Sequence, residues 1–163
     1  MTFKTADLCD DHPDKVRICE PVFSSFGGRT RFFGKVSTIK CFEDNSLVRE
    51  AVGEPGEGRV LVVDAGGSLR CAMLGDLLAA KAVENGWSGV IMNGLIRDSA
   101  DIAGMDLGVK ALGTLPLKSV KKGVGERDVP VRFAGVGFVP GQYVYADEDG
   151  IICSDDALPV AAH

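Results

Sequence analysis

The period of the apolar positions changes several times along the chain, and the changes predict alternating strands and helices. Residues 5–11 predict a short helix with Thr5 or Asp7 as its cap. Residues 31–42 alternate as a strand, with Phe33, Val36, Ile39 and Cys41 among the apolar positions. Asp44 or Asn45 is placed to cap a helix over Ser46–Val52, which the Gly- and Pro-rich run 53–58 ends. Residues 59–64 form a continuous apolar strand of the kind covered on both faces. After the turn at 65–68 the pattern predicts a helix from about 70 to 85. Met73, Leu74, Leu77, Leu78 and Ala82 lie on its apolar face, and Gly86 closes its end. Residues 89–93 make a second buried strand, so 59–93 reads as a β-α-β unit, parallel and right-handed by rule. A short helix starts near Ser99, and strands follow at 109–112, 129–138, 142–146 and 151–154. The sum is an α/β domain with a mixed sheet and a β-rich C-terminal half. A length of 163 residues suits one domain spanning 1–163.

Composition narrows the chemistry. A formal net charge of −5 gives no basic footprint for nucleic acid. The group Lys118, Lys121 and Lys122 reads as a solvated loop. No apolar run approaches the roughly 18 residues of a membrane span, and the polar, acidic N-terminus is no signal peptide, so a cytoplasmic location is expected. The five cysteines (9, 19, 41, 71 and 153) never fall in a C-x-x-C pair, which argues against a zinc cluster or a disulfide framework. Cys41 and Cys153 read as buried free thiols. The two histidines, His12 and His163, lie at the extremities, so histidine-based triads and metal sites are set aside. Carboxylates, Arg, Lys, Tyr, backbone amides or a bound ion remain.

Three segments carry candidate chemistry. VLVVDAGGSLR (60–70) has the strand, glycine turn and following residues of a nucleotide or S-adenosylmethionine site, but it lacks G-x-G-x-x-G, and Asn93 stands where an acid should end the next strand. It is read as a tight turn in a cleft wall. Gly75-Asp76-Leu77-Leu78 holds a glycine that costs about 1 kcal/mol inside a helix. A helix that begins here instead would aim the amides of 75–78 at an anion. Asp76 reads equally well as a site residue and as a first-turn carboxylate favoured by the helix dipole. In the third segment, 93–101, Arg97 has the fork geometry for a carboxylate, whereas Asp98 reads as a helix cap and Asp101 as a first-turn acid. Two parallel strands ending on one side of the sheet bring 65–78 and 94–101 together.

On these residues the chain resembles the family that joins the regulator of ribonuclease activity A to the class II 4-hydroxy-4-methyl-2-oxoglutarate aldolases (RraA-like proteins). The resemblance runs through ADLCD (6–10), EPVFSSFGGR (20–29), STIKCFEDNSLV (37–48), GRVLVVDAGGSLR (58–70), GERDV (125–129) and YADEDGII (145–152). The aldolases carry Gly-acid-Leu and then, about twenty residues on, Arg-Asp with another acid following. Here these are Gly75-Asp76-Leu77, Arg97-Asp98 and Asp101. The ribonuclease-binding regulator lacks the intact Arg-Asp pair.

The resemblance implies a swivelling β/β/α fold, a homotrimer with sites between subunits, and a divalent-metal-dependent lyase. That lyase would cleave 4-hydroxy-4-methyl-2-oxoglutarate to pyruvate and decarboxylate oxaloacetate. Asp98 would hold Mg²⁺ or Mn²⁺, mostly through water. Arg97 would pair with the 2-oxo acid, and the amides of Gly75, Asp76, Leu77 and Leu78 would complete the cradle. Asp76 would orient or deprotonate the water that acts as acid and base. Lys81 reads as a helix-surface charge rather than a Schiff-base lysine. The longer aldolases supply an acid from a C-terminal extension across the interface. This sequence ends at His163, and Asp147 and Asp149 have no claim to that role, so weak aldol cleavage with oxaloacetate decarboxylation as fast or faster is expected. The alternative is a non-catalytic regulator that binds a ribonuclease.

Overall fold

The structure is a computed structural model that describes residues 2–160. In chain order it comprises α1 (Thr5–Asp11), β1 (Val16–Ile18), β2 (Ser24–Ser25), β3 (Phe32–Lys40), α2 (Ser46–Val52), β4 (Val60–Asp64), β5 (Ala72–Leu74), α3 (Asp76–Glu84) and β6 (Gly89–Ile96). Then follow α4 (Ser99–Ile102), β7 (Gly108–Thr114), β8 (Glu126–Arg127), β9 (Val131–Phe133), β10 (Val136–Phe138), β11 (Tyr143–Asp147) and β12 (Gly150–Ser154). This is an α/β fold on a mixed sheet, as the sequence pattern indicates.

The main sheet runs β1-β12-β11-β3-β4-β6-β7-β2, with β5 added to β6 and β8 to β3. β3, β4, β6 and β7 are mutually parallel, and the outer strands are antiparallel. Nine residues let β3 serve both regions: Phe32–Lys35 pair with β11, and Val36–Lys40 pair with β4.

The unbroken apolar run of β4 follows from burial on two faces. Leu61 and Val63 pack with Val48, Ala51, Ala79 and Ala82 of the helices. Val60 and Val62 face the other way, against Val131, Phe133, Val136 and Phe138 of the β9–β10 hairpin. Successive strand side chains alternate sides, so each face receives every second residue. Phe32 lies across Gly89 and Gly108 so closely that a Cβ on Gly108 would come within 2.1 Å of its ring.

The helix expected over 70–85 is instead a short strand followed by a shorter helix. Met73 and Leu74 are buried in β5, which pairs in parallel with β6, and α3 starts only at Asp76. Parallel pairing satisfies the backbone of 72–74 and leaves Gly75 as the residue before the helix, where it carries no helix-interior penalty. Leu77 is therefore not on the apolar face: it is 78% exposed. Gly86, at φ +80°, follows the end of α3 as the sequence indicates. β6 runs on to Ile96, so 94–96 are strand rather than loop. The single strand expected over 129–138 is the β9–β10 hairpin.

The expected caps also change. Neither Thr5 nor Asp7 caps α1. The Thr5 amide and hydroxyl both donate to buried Asp147, at 2.7 Å each. Asp147 also takes the Asp149 amide, so it is a structural anchor for α1 and the β11–β12 turn. His12 closes α1, and His163 lies outside the described residues. All five cysteines are free. Burial pushes the thiols of Cys19 and Cys41 up to about 12. No helix among the described residues is long and apolar enough to cross a membrane.

Candidate active site

The site forms where β5, β6 and α3 meet. The Arg97 amide donates to Leu74 O at 2.9 Å, which holds the end of β6 against β5. Asp98 then turns left-handed (φ 55°, ψ 40°), a conformation that Asp tolerates better than most residues. This turn sends its side chain away from its own helix. Asp98 makes no side-chain cap on α4, contrary to the local expectation, and its Oδ2 accepts the Asp76 amide at 2.9 Å, at the start of α3. A positively polarised helix end draws the nearest carboxylate. That amide, backed by the Asp76 side chain and by Arg97, holds the Asp98 carboxyl below its ordinary range despite desolvation acting the other way.

Gly75 permits the arrangement by its size rather than its backbone angles. Its φ of −123° is open to any residue, but a Cβ there would lie 2.9 Å from Asp98 Oδ2 and 3.3 Å from Arg97 Nε. Arg97 Nε is 3.9 Å from Asp98 Oδ2, too long for a hydrogen bond, so the guanidinium keeps its donors for a ligand.

The expected amide cradle is partly occupied by the chain itself. Asp98 takes the Asp76 amide, and Asp76 Oδ1 takes the Leu77 amide at 2.8 Å. The Leu78 amide has no helical partner, because the first turn of any helix leaves its donors free. Asp101, by contrast, is exposed on α4 and does not line the cavity.

That cavity, of about 390 Å³, is lined by Gly75, Asp76, Leu77, Leu78 and Arg97, together with residues the motifs did not indicate. Lys81, Lys118 and Lys121 are exposed, as the sequence indicates, and also line it, and Asn45 joins from the N-cap of α2 and Arg49 from its last turn. Five cationic side chains and one acid therefore face a single cavity in a chain of net charge −5. Asn45 is nearly buried; its Nδ2 donates to Met73 O at 3.3 Å, and its Oδ1 has no partner. A second cavity, of about 350 Å³ beside α1 and β12, gathers none of Gly75–Leu78, Arg97 and Asp98.

The glycine turn after β4 is consumed internally. Asp64 Oδ1 accepts both the Gly66 amide and Asn93 Nδ2 at 3.0 Å, and the Gly67 amide donates to Asn93 O. Its donors are therefore spent on the protein rather than turned to a cofactor phosphate or ribose.

Of the two expected caps for α2, Asn45 holds the cap position but makes no side-chain cap bond, and Asp44 stands one residue before it. Asp44 Oδ1 accepts the Ser46 amide and hydroxyl, while its Oδ2 accepts the amides of Lys122 and Val124. These four bonds outweigh desolvation and hold its carboxyl at about 2.

The fold and site define an α/β domain with a cation-rich cavity at the carboxyl ends of parallel strands, centred on an arginine and two carboxylates. The chain belongs to the RraA-like family, whose model, described as Aldolase/RraA, matches residues 5–153. A protein of Alkalilimnicola ehrlichii, provisionally named 4-hydroxy-4-methyl-2-oxoglutarate aldolase, is 61% identical over 158 residues, covering 97% of this chain and 98% of its own. The crystal structure of a Geobacillus kaustophilus protein, described as an S-adenosylmethionine:2-dimethylmenaquinone methyltransferase, is 52% identical with a TM-score of 0.94, covering 96% of this chain and 97% of that one. The Thermus thermophilus RNA-processing inhibitor RraA is 46% identical with a TM-score of 0.93, covering 98% and 96%.

Proposed function

We propose that this chain is a divalent-metal-dependent lyase that cleaves 4-hydroxy-4-methyl-2-oxoglutarate to pyruvate and decarboxylates oxaloacetate. One observation carries the reading: the Asp98 carboxylate sits on the start of α3 against Gly75, beside Arg97 and Asp76, and those three neighbours line a cavity of surplus positive charge. The aldolase names of close relatives point the same way.

The donor set fits a hydrated Mg²⁺ or Mn²⁺. Among the described residues no three His, Cys, Asp or Glu side chains cluster as a metal cage. A hard ion that keeps most of its waters needs only one or two carboxylates. Asp98 would hold it, with Asp76 adjacent. Such an ion, when bound, neutralises the negative charge that grows on the keto oxygen as the C–C bond breaks.

The protein's own groups do the rest. Arg97 pairs with the carboxylate next to the keto group and fixes its plane. The Leu78 amide adds a donor at the same end. Asp76 has one oxygen tied to the Leu77 amide, and its Oδ2 takes the proton of the substrate 4-hydroxyl, directly or through water, and returns it to pyruvate C3. Decarboxylation of oxaloacetate needs only the return step. The same reading places the protein in the cytoplasm as a homotrimer.

The test is pyruvate release from both substrates with Mg²⁺ and with chelator, for the parent, Asp98→Ala and Arg97→Ala. Metal-dependent turnover that falls at least about a hundredfold in both variants supports the lyase. Metal-independent turnover, or unchanged variants, overturns it. A ribonuclease-binding regulator is the second reading, favoured by the similarity to the Thermus inhibitor. Inhibition of a ribonuclease that persists in both variants, without pyruvate release, would support it. The methyltransferase description of the Geobacillus structure finds less support here, because the glycine turn is self-bonded.

A further inference from the structure

The lysines of the cavity stand on an eleven-residue connection, 115–125, between β7 and β8. That connection is held as firmly as a strand. The Ala72 amide donates to Leu117 O at 2.7 Å, and the Ser119 amide returns to Ala72 O at 3.1 Å. Further along, the Asn45 amide donates to Val120 O, and the Gly123 amide to Ser46 Oγ. Asp44 closes the segment by taking the Lys122 and Val124 amides at 2.9 and 3.1 Å.

β5 therefore has β6 on one edge and residue 118 on the other. Arg97 follows one neighbour and Lys118 is the other, so their backbones stand two strand spacings apart, about 10 Å. Two cations approaching from opposite edges of one short strand suit a ligand with an anion at each end. The cavity cations other than Arg97 are also without an acid partner among the described residues, as are Arg59 and Arg132, which donate to backbone oxygens instead. Arg17, Arg29, Arg31, Arg70 and Arg127 each meet an acid within 3.2 Å. Arg49, Lys118 and Lys121 form no ion pair with a described residue, although they share a cavity wall. Like charges repel, so bringing them together with Asp76 as the one acid on the same cavity raises the affinity for an external anion.

We propose that Arg49, Lys118 and Lys121 form a second anion subsite, which takes the carboxylate of a 2-oxo diacid remote from its keto group, and that Asp44 is the residue that positions it. This rests on the lyase reading for the identity of the ligand, with Arg97 holding the keto-acid end. The subsite selects 2-oxo diacids over 2-oxo monoacids. Asp44 touches no substrate; it fixes the lysine-bearing segment to the start of α2, the helix that carries Arg49 in its last turn.

The experiment titrates the full chain with pyruvate and with 2-oxoglutarate by ligand-observed NMR, with and without Mg²⁺. The parent binds 2-oxoglutarate more tightly. Arg49→Ala, Lys118→Ala and Lys121→Ala each weaken 2-oxoglutarate about five- to tenfold while pyruvate changes less than twofold. Lys118→Arg restores the preference. Asp44→Asn loses the preference, and hydrogen exchange at the Lys122 and Val124 amides accelerates. Ser46→Ala, which removes only the Gly123 contact and one Asp44 partner, gives a smaller loss and serves if Asp44→Asn does not fold. Equal weakening for both ligands, or a preference that survives the alanine variants, overturns the subsite. A preference that survives Asp44→Asn while those amides exchange freely overturns the positioning role. Absence of pyruvate release with the preference intact overturns the lyase alone, so the two failures are distinguishable.

Discussion

Gly75→Ala tests the packing at the centre of the site. The added Cβ would lie 2.9 Å from Asp98 Oδ2, where an ordinary contact is about 3.4 Å, so the carboxylate must retreat by roughly 0.5 Å. That stretches its 2.9 Å bond from the Asp76 amide to about 3.4 Å, beyond a good hydrogen bond. Arg97 Nε, 3.3 Å from the same point, has less to yield. A lost hydrogen bond to a charged group is worth about 1.5–3 kcal/mol, or roughly ten- to a hundredfold in kcat/KM if felt fully in the transition state. A similar loss follows from sub-ångström misplacement of reacting groups. The lost bond costs the folded state as well, and backbone effects recover only part of that. Alanine accepts φ −123° without strain and reduces the unfolded chain's freedom by about 0.4–1 kcal/mol, which offsets the poorer residue before the helix. The assay pairs pyruvate release at saturating Mg²⁺ with a thermal melt. A folded Gly75→Ala protein with kcat/KM within about threefold of the parent would refute the role given to this glycine.

Two further outcomes follow from the fold. Asp44 titrates at about 2 when folded and near its ordinary 3.8 when unfolded, so its contribution is full above pH 4 and is lost as pH falls toward 2. Asp147, held low by the Thr5 and Asp149 donors against desolvation, acts with the same sign. Urea midpoints measured from pH 6 to pH 3 should fall at the acid end, and less steeply for Asp44→Asn; a flat profile in the parent contradicts this. Gly27→Ala would put a Cβ 2.0 Å from Leu107 O and 2.8 Å from the Val109 amide, both backbone atoms that cannot rotate away. A loss of about 3 kcal/mol is expected, lowering Tm by roughly 6–12 °C, and an unchanged melt would contradict the packing described.

The sequence alone determined the elements whose periodicity is strong and local. The run 60–64 reads as a strand buried on both faces because both of its faces are buried, and α2 appears with its true bounds because an acid and a glycine-rich stop flank it. The central pair Arg97-Asp98 and the segment 75–78 were also legible, since parallel strands must end on one side of their sheet.

Tertiary structure decided what depends on contacts distant in sequence. The residues 72–74 have the composition of a helix face, yet β6 and residue 118 offer their backbone a ladder on both edges, and they extend. Asp98 reads locally as a cap for α4; the left-handed turn and the nearby end of α3 redirect it to the Asp76 amide 22 residues away. Lys118 and Lys121 read as solvated charges, because no local pattern shows Asp44 reaching 78 and 80 residues along the chain to the amides of Lys122 and Val124. Periodicity records which side of an element is apolar; only the folded chain shows which unpaired donor and which carboxylate come within hydrogen-bonding distance.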